Sequence, residues 1–347
     1  MAAPLTIALD AMGGDFGPET VLPAAELFML RHPDIRYLVF GDEKKLKPIV
    51  EKLPKLQRIV EIRHSSISIA MDAKPSQAIR DGRRDSSMWN AISSVKSGEA
   101  DVIVSAGNTG ALMAMSKICL RTMPDIERPA IAAVWPTLNG SCIVLDVGAN
   151  VGATARQLSD FAFMGAAMAS AQFNIERPSV SLLNIGVEEV KGLSEVKNAH
   201  QWLSAPDLPI NYVGFVEGHM IGHDAADVIV TEGFSGNIAL KTAEGTATQF
   251  AGELKRALGQ SLMTKIGAFL ARSAFETIKV KLSPNEHNGG VFLGLNGIVI
   301  KSHGGANAHG FSRAIEVGYN MARGGLLRHI GEDLDRFHVS LDDADIS

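Results

Sequence analysis

The chain has 347 residues, 46% of them hydrophobic and 20% charged, with a formal net charge of -5. That composition suits a globular protein with a full core, and it excludes a disordered chain and a whole-protein attraction to nucleic acid. With 6% aromatic residues against 34 glycines, it favours helices packed by Ala, Val and Ile on a parallel sheet over a β-sandwich.

LTIALDAMGGDFGPE opens with a buried strand over residues 5–9, turns through Asp10, Gly13 and Gly14, and enters a helix near Pro18 and Glu19. The N-terminus has no basic region followed by a long apolar run, and no uncharged apolar segment reaches the length of a membrane span. Neither a signal peptide nor a transmembrane helix is expected, and Cys119 and Cys142, without ligand spacing, read as small core residues of a reducing cytoplasm. RYLVFGD and IVEIRHSS supply two further strands. KPSQAIRDGRRDSSM then brings Lys74, Arg80, Arg83 and Arg84 with the paired serines Ser86 and Ser87, a cluster that either binds phosphate or faces water.

DVIVSAGNTGALMA sets the grammar of the chain: a β-branched run, a turn through Ser105, Gly107, Asn108, Thr109 and Gly110, and then helix formers. Three later stretches repeat it, with Asp146 and Asn150 in LDVGAN, Gly233, Ser235, Gly236 and Asn237 in EGFSGN, and His303, Gly304 and Asn307 in KSHGGAN. Helix starts carry unpaired amides and partial positive charge, so several such turns on one sheet predict a single edge that cradles an oxyanion. Between them lie a short strand at residues 130–134 and an Ala/Met-rich helix from about 157 to 173, buried in the fold or against a second copy. LLNIGVEEVKG ends a strand with Asn184, Glu188 and Lys191, the last two placed to share a helical face. Glu217, His219, His223 and Asp224 resemble metal-ligand content but sit among glycines, so no metal is assigned.

From about 252 to 281 the chain reads as a basic amphipathic helix. Leu254, Leu258, Leu262, Ile266, Phe269 and Leu270 form the stripe, and Lys255, Arg256, Lys265 and Arg272 flank it. Such a helix lies on anionic lipid, docks an acidic protein, or belongs to the core. His303, with Lys301 beside it at the sheet edge, is the histidine best placed for acid/base or hydrogen-bond duty.

Taken together and in order, ALDAMGGDFGP, KPSQAIRDGRRDSSM, VSAGNTGALMA, LDVGAN, LLNIGVEEVKG, GFVEG, VIVTEGFSGNIALKTAEG and LGLNGIVIKSHGGAN resemble the bacterial phosphate acyltransferases of the PlsX family over residues 5–327. The resemblance implies a three-layer α/β/α, Rossmann-like fold similar to phosphotransacetylases and to isocitrate and isopropylmalate dehydrogenases. It implies a cytoplasmic homodimer, peripherally associated with the membrane, that needs no cofactor. That enzyme converts acyl carrier protein thioester and inorganic phosphate into acyl phosphate, which a glycerol-phosphate acyltransferase consumes. One departure is Met220, preceded by His219, where the family usually carries Asp. On this reading residues 1–335 form one catalytic domain, 250–281 a basic amphipathic insertion and 336–347 an acidic tail.

Phosphate is already a nucleophile and a thiolate is a fair leaving group, so the protein need only gather the anion and hold the tetrahedral oxyanion. Asn108, Asn184, Lys191 and His303 are the expected catalytic donors, with Asn150 and the glycine turns as binding groups and with Asp10 and Glu188 orienting Lys191 or managing a proton. A soluble phosphotransacetylase acting on a short acyl-CoA would use the same turns, and a noncatalytic membrane scaffold would need only the amphipathic segment. The absence of GxGxxG with a ribose-binding acid weighs against a dehydrogenase.

Overall fold

The computed structural model describes residues 4–206 and 208–345, the last six of these as backbone alone. Strand and helix alternate through β1 (Leu5–Asp10), α1 (Pro18–Met29), β2 (Ile35–Gly41), α2 (Glu43–Val50), β3 (Val60–His64), α3 (Pro75–Gly82), α4 (Ser87–Lys96), β4 (Val102–Ser105) and α5 (Thr109–Leu120). A hairpin of β5 (Ala130–Pro136) and β6 (Ser141–Leu145) leads to α6 (Ala155–Phe173), β7 (Ser179–Leu183), α7 (Ser194–Leu203), β8 (Asn211–Val216) and β9 (Val228–Val230). Three helices follow, α8 (Gly233–Leu258), α9 (Leu262–Leu270) and α10 (Arg272–Lys281). A second hairpin, β10 (Gly290–Leu293) and β11 (Ile298–Lys301), returns the chain to the sheet before α11 (Ala308–Arg323) and α12 (Leu326–Asp345).

Eleven strands form one sheet in the order β3-β2-β1-β4-β11-β10-β5-β6-β9-β7-β8. Its core positions alternate along each strand: Ile7, Leu9, Val102 and Val104 join the cluster beneath α1, α6 and α11, while Ala8 and Ile103 join the one beneath α4 and α5. Both faces are covered, which is why the strands read as unbroken apolar runs, and the expected three-layer architecture is what forms. Fourteen positions of α6 are buried, and its cover is α7, α11 and α12 of its own chain.

Strand direction is what positions the site. Pairing is parallel from β3 to β11 and again from β6 to β8, but β10 pairs antiparallel with both β11 and β5, and β5 antiparallel with β6. The carboxyl ends of β1, β4 and β11 therefore point one way and those of β6, β7 and β9 the other. The single edge expected from the repeated turns is corrected to two, because three antiparallel pairings, an odd number, separate β11 from β6 and so invert the second half of the sheet.

The basic segment also differs from one continuous helix. It breaks near Gly259 and at Ala271, where Ser261 caps α9 by accepting from the Thr264 amide and α10 starts afresh. Only Gly233 and Gly236 of α8 are buried, and no residue of α9 or α10 is. The acidic segment from 336, expected as a tail, begins inside α12, with Phe337 buried against Phe163 at a ring separation of 4.5 Å.

Candidate functional site

At the first edge, the turns after β1, β4 and β11 pack directly on one another. Asp10, the last residue of β1, is fully buried and accepts from Ser105 Oγ and Ser87 Oγ, each at 2.7 Å. Burial pushes its carboxyl pKa up, and the serine hydroxyls and the Lys301 charge oppose this only in part. A Cβ at Gly13 would lie 2.5 Å from the Gly107 amide nitrogen, and one at Gly14 would meet Gly304 O at 3.0 Å. These glycines thus serve the approach of turn to turn.

Lys301 sits at the end of β11, its ammonium donating to Ala106 O at 3.2 Å and to Ser302 O. Burial lowers its pKa to about 8, against the pull of Asp10 and Asp15. His303, two residues on, is exposed, and its Nδ1 accepts from the Gly305 amide at 3.2 Å.

Asn108 belongs to this edge, but it is the N-cap of α5. Its Oδ1 accepts from the Ala111 amide at 2.8 Å, while Nδ2 donates to Met71 O at 2.6 Å and Ala73 O at 3.2 Å. With Oδ1 and both amide protons engaged, Asn108 caps α5 and orients the turn. Thr109 and Gly110 open α5 behind it, under Pro75 of α3. Lys74 is exposed at the start of α3, and Arg80 is 75% exposed and paired with Asp81 at 3.0 Å.

At the second edge, the turn after β6 is an anion nest already filled by its own carboxylate. Asp146 accepts from the amides of Ile131, Gly148, Ala149 and Asn150 at 2.8–3.0 Å and from Asn150 Nδ2 at 2.9 Å. Asn150 Nδ2 also reaches Pro129 O at 2.9 Å. Asp146 and Asn150 are therefore hydrogen-bonded within the fold. The turn after β9 rests on this nest through Gly236, where a Cβ would lie 1.9 Å from Asp146 O.

The start of α8 is likewise closed by a carboxylate. Glu232, which sequence reading passed over, accepts from the amides of Phe234, Ser235 and Gly152 at 2.7, 2.8 and 3.2 Å. Burial raises its pKa, and those hydrogen bonds outweigh burial to leave it lowered. An acid directly before GFSGN was the available signal, since a cap is read from the residue preceding the first helical turn.

What remains open at the second edge are side chains. Ser235 and Asn237 are exposed on the first turn of α8, where Glu232 takes hydrogen bonds from both the amide and the side chain of Ser235. Asn184 donates one amide proton to Lys191 O at 3.1 Å. Lys191 pairs with Glu188 at 2.8 Å in a turn where a shared helical face was expected; the pairing lowers the Glu188 pKa and raises that of Lys191. Around them stand exposed apolar side chains: Val151, Ile185, Val190 and Phe234 are 85, 78, 83 and 59% exposed. No hydrogen bond or ion pair among the described residues joins this group to the first edge.

Asp224, in the segment with metal-ligand content, is held by Thr137 Oγ1 and by Asn139 Nδ2 at 2.7 Å.

The class of protein defined by this mixed sheet and its polar turns is that of the phosphotransacetylase fold. The structure superposes on a EutD phosphotransacetylase from Staphylococcus aureus with a TM-score of 0.61 and 18% identity, covering 92% of this chain and 94% of that one. A phosphotransacetylase from Streptococcus pyogenes gives a TM-score of 0.62 at the same identity and coverage. Within that fold the sequence is more specific. A profile of the family described as "Fatty acid synthesis protein" matches residues 5–328, and the chain is 59% identical over 337 residues to a phosphate acyltransferase of Brucella ovis, covering 97% of each. The chain belongs to this phosphate acyltransferase family, and its chemistry is acyl transfer with phosphate.

Proposed function

We propose that the enzyme moves an acyl group from the thioester of acyl carrier protein to inorganic phosphate, giving acyl phosphate and the free carrier-protein thiol. A phosphate oxygen attacks the thioester carbon, the tetrahedral oxyanion collapses, the C–S bond breaks, and the departing thiolate takes a proton. The observation that carries this reading is the second edge, where Lys191, ion-paired with Glu188, and Ser235 and Asn237 are exposed on the same side of the sheet as exposed apolar residues. A cationic and amide donor set beside apolar surface suits an anion reacting with an acyl chain.

His303 lies on the other edge of the same sheet, so we assign the working unit to a homodimer. A two-fold pair laying the second edge of one protomer on the first edge of its partner would place His303 against Lys191, Ser235 and Asn237 and would cover part of the apolar rim. On this reading acyl phosphate passes to a glycerol-phosphate acyltransferase for glycerophospholipid synthesis, and the enzyme works in the cytoplasm on the anionic membrane face.

The helical arm supports a docking role. No described helix is long and apolar enough to cross a membrane. Yet α9 exposes Leu262, Ile266, Phe269 and Leu270, with Lys255, Arg256, Lys265 and Arg272 nearby. Apolar side chains beside cations suit an anionic lipid surface or the acidic carrier protein.

Purified protein given acyl carrier protein thioester should release free thiol only when phosphate is present, with acyl phosphate trapped by hydroxylamine. Release without phosphate, or turnover of acyl-CoA alone, would refute the proposal.

A further inference from the structure

We infer that Asn288 is a positioning residue for His303, an inference that rests on His303 taking part in the acyl transfer. Asn288 lies on the return from α10 to β10, and only 6% of it is exposed. Its Oδ1 accepts from the His303 amide at 2.8 Å. Its Nδ2 donates to Ser302 Oγ and to Gly310 O, both at 2.8 Å. One side chain thereby ties the last turn of the sheet to the first turn of α11, with His303 between the two attachment points.

The same segment is strapped to α11 on either side of Asn288. Glu286 holds Arg313 at 2.9 Å and His309 at 2.6 Å. Gly289 takes φ 122°, and a Cβ there would come within 3.0 Å of Ala314 Cα, so the strap lies flat on the helix. From the opposite side Lys301 donates to Ser302 O. The peptide that carries His303 is thus fixed from both directions, while the imidazole is exposed and, among the described residues, bonded only through Nδ1 to the Gly305 amide.

A side chain that reacts through Nε2 needs its Cα held to well within an ångström. Removing the Asn288 amide frees the His303 N–H, the Ser302 hydroxyl and the Gly310 carbonyl together. The strap is also the exit of the α8–α10 arm, so the residue that sets His303 lies on the segment that joins the arm to the first edge.

A double-mutant cycle tests this, with kcat and the phosphate KM measured by phosphate-dependent thiol release and folding followed by thermal unfolding. Asn288→Ala and His303→Ala should each lower kcat by about tenfold or more, with the phosphate KM within about threefold of the parent. The double variant should fall no more than about threefold below His303→Ala, because a positioning residue has nothing left to position. Ser302→Ala breaks one of the same three bonds without touching the His303 amide, and it should keep kcat within about threefold.

If Asn288→Ala costs the same factor in the His303→Ala background as in the parent, the positioning role is overturned and Asn288 is a structural residue. If folded His303→Ala keeps the parent kcat, the reading of His303 fails, and the role of Asn288 with it. Should Asn288→Ala not fold, Asn288→Ser takes its place in the cycle and is judged by the same two outcomes.

Discussion

Ser105 Oγ donates to Asp10 Oδ2 at 2.7 Å inside the core, joining the last residues of two neighbouring parallel strands. Burial raises the Asp10 pKa above its ordinary value of 3.8, so the native chain binds a proton at a pH where the unfolded chain has released it. Stability from this group is present below the unfolded value and is lost as the pH rises through the raised native value. Asp10→Asn removes the titration. The difference in Tm, parent minus variant, should therefore widen as the pH is lowered from about 7 to about 4, and a flat or shrinking difference would refute the assignment.

Glu232 gives the opposite sign. Its native pKa is held below 4.5, so its contribution is present above that value and lost as the pH falls through the native one. Glu232→Ala strips the cap from α8 and the bond to the Gly152 amide, and it should cost about 1 kcal/mol in urea denaturation near neutral pH. Glu232→Gln keeps an acceptor and should cost less. An unchanged midpoint for the alanine variant would show that the start of α8 does not depend on this carboxylate.

Val102–Val104 and Ile298–Ile300 are legible as strands because a sheet covered on both faces asks for apolar residues without alternation. Their direction is not legible. Nothing within CIVLDVGAN records that its strand runs against its neighbour, because that is decided by the short connections at 137–140 and 294–297, which read only as loops. Turns of one grammar consequently fell on two edges. The caps show a second limit: an Asn at a helix start donates to a ligand or satisfies the amide three residues on, and only the partners distinguish the two. For Asn108 they are Ala111, Met71 and Ala73. For Asp146 four of the five donors lie within four residues, yet the fifth, Ile131, is fifteen residues back in β5.

The arm separates docking from folding. Because no residue of α9 is buried, replacing Leu262, Phe269 and Leu270 together by Glu should leave the Tm within a few degrees of the parent. The same change should abolish co-sedimentation with vesicles of anionic phospholipid. Vesicle binding that survives would move membrane contact elsewhere on the surface, and a collapsed Tm would show that these side chains are covered in the working assembly.

The placement of Lys191 and His303 on opposite edges makes the dimer assignment testable by complementation. Lys191→Ala and His303→Ala should each lower kcat/KM by more than about tenfold, the effect of losing one charge-assisted hydrogen bond at the transition state. In a heterodimer of the two variants, one site receives His303 from the first chain and Lys191 from the second, both intact, while the other site lacks both. Random exchange makes about half of all dimers mixed, and each mixed dimer carries one working site of two, so mixing the inactive variants should restore about a quarter of the parent activity. Subunit exchange, verified with differently tagged chains, that restores nothing would place both residues in the service of a site within one chain or remove one of them from the reaction. The two single variants already separate these outcomes, since only a residue outside the reaction leaves kcat/KM unchanged on its own.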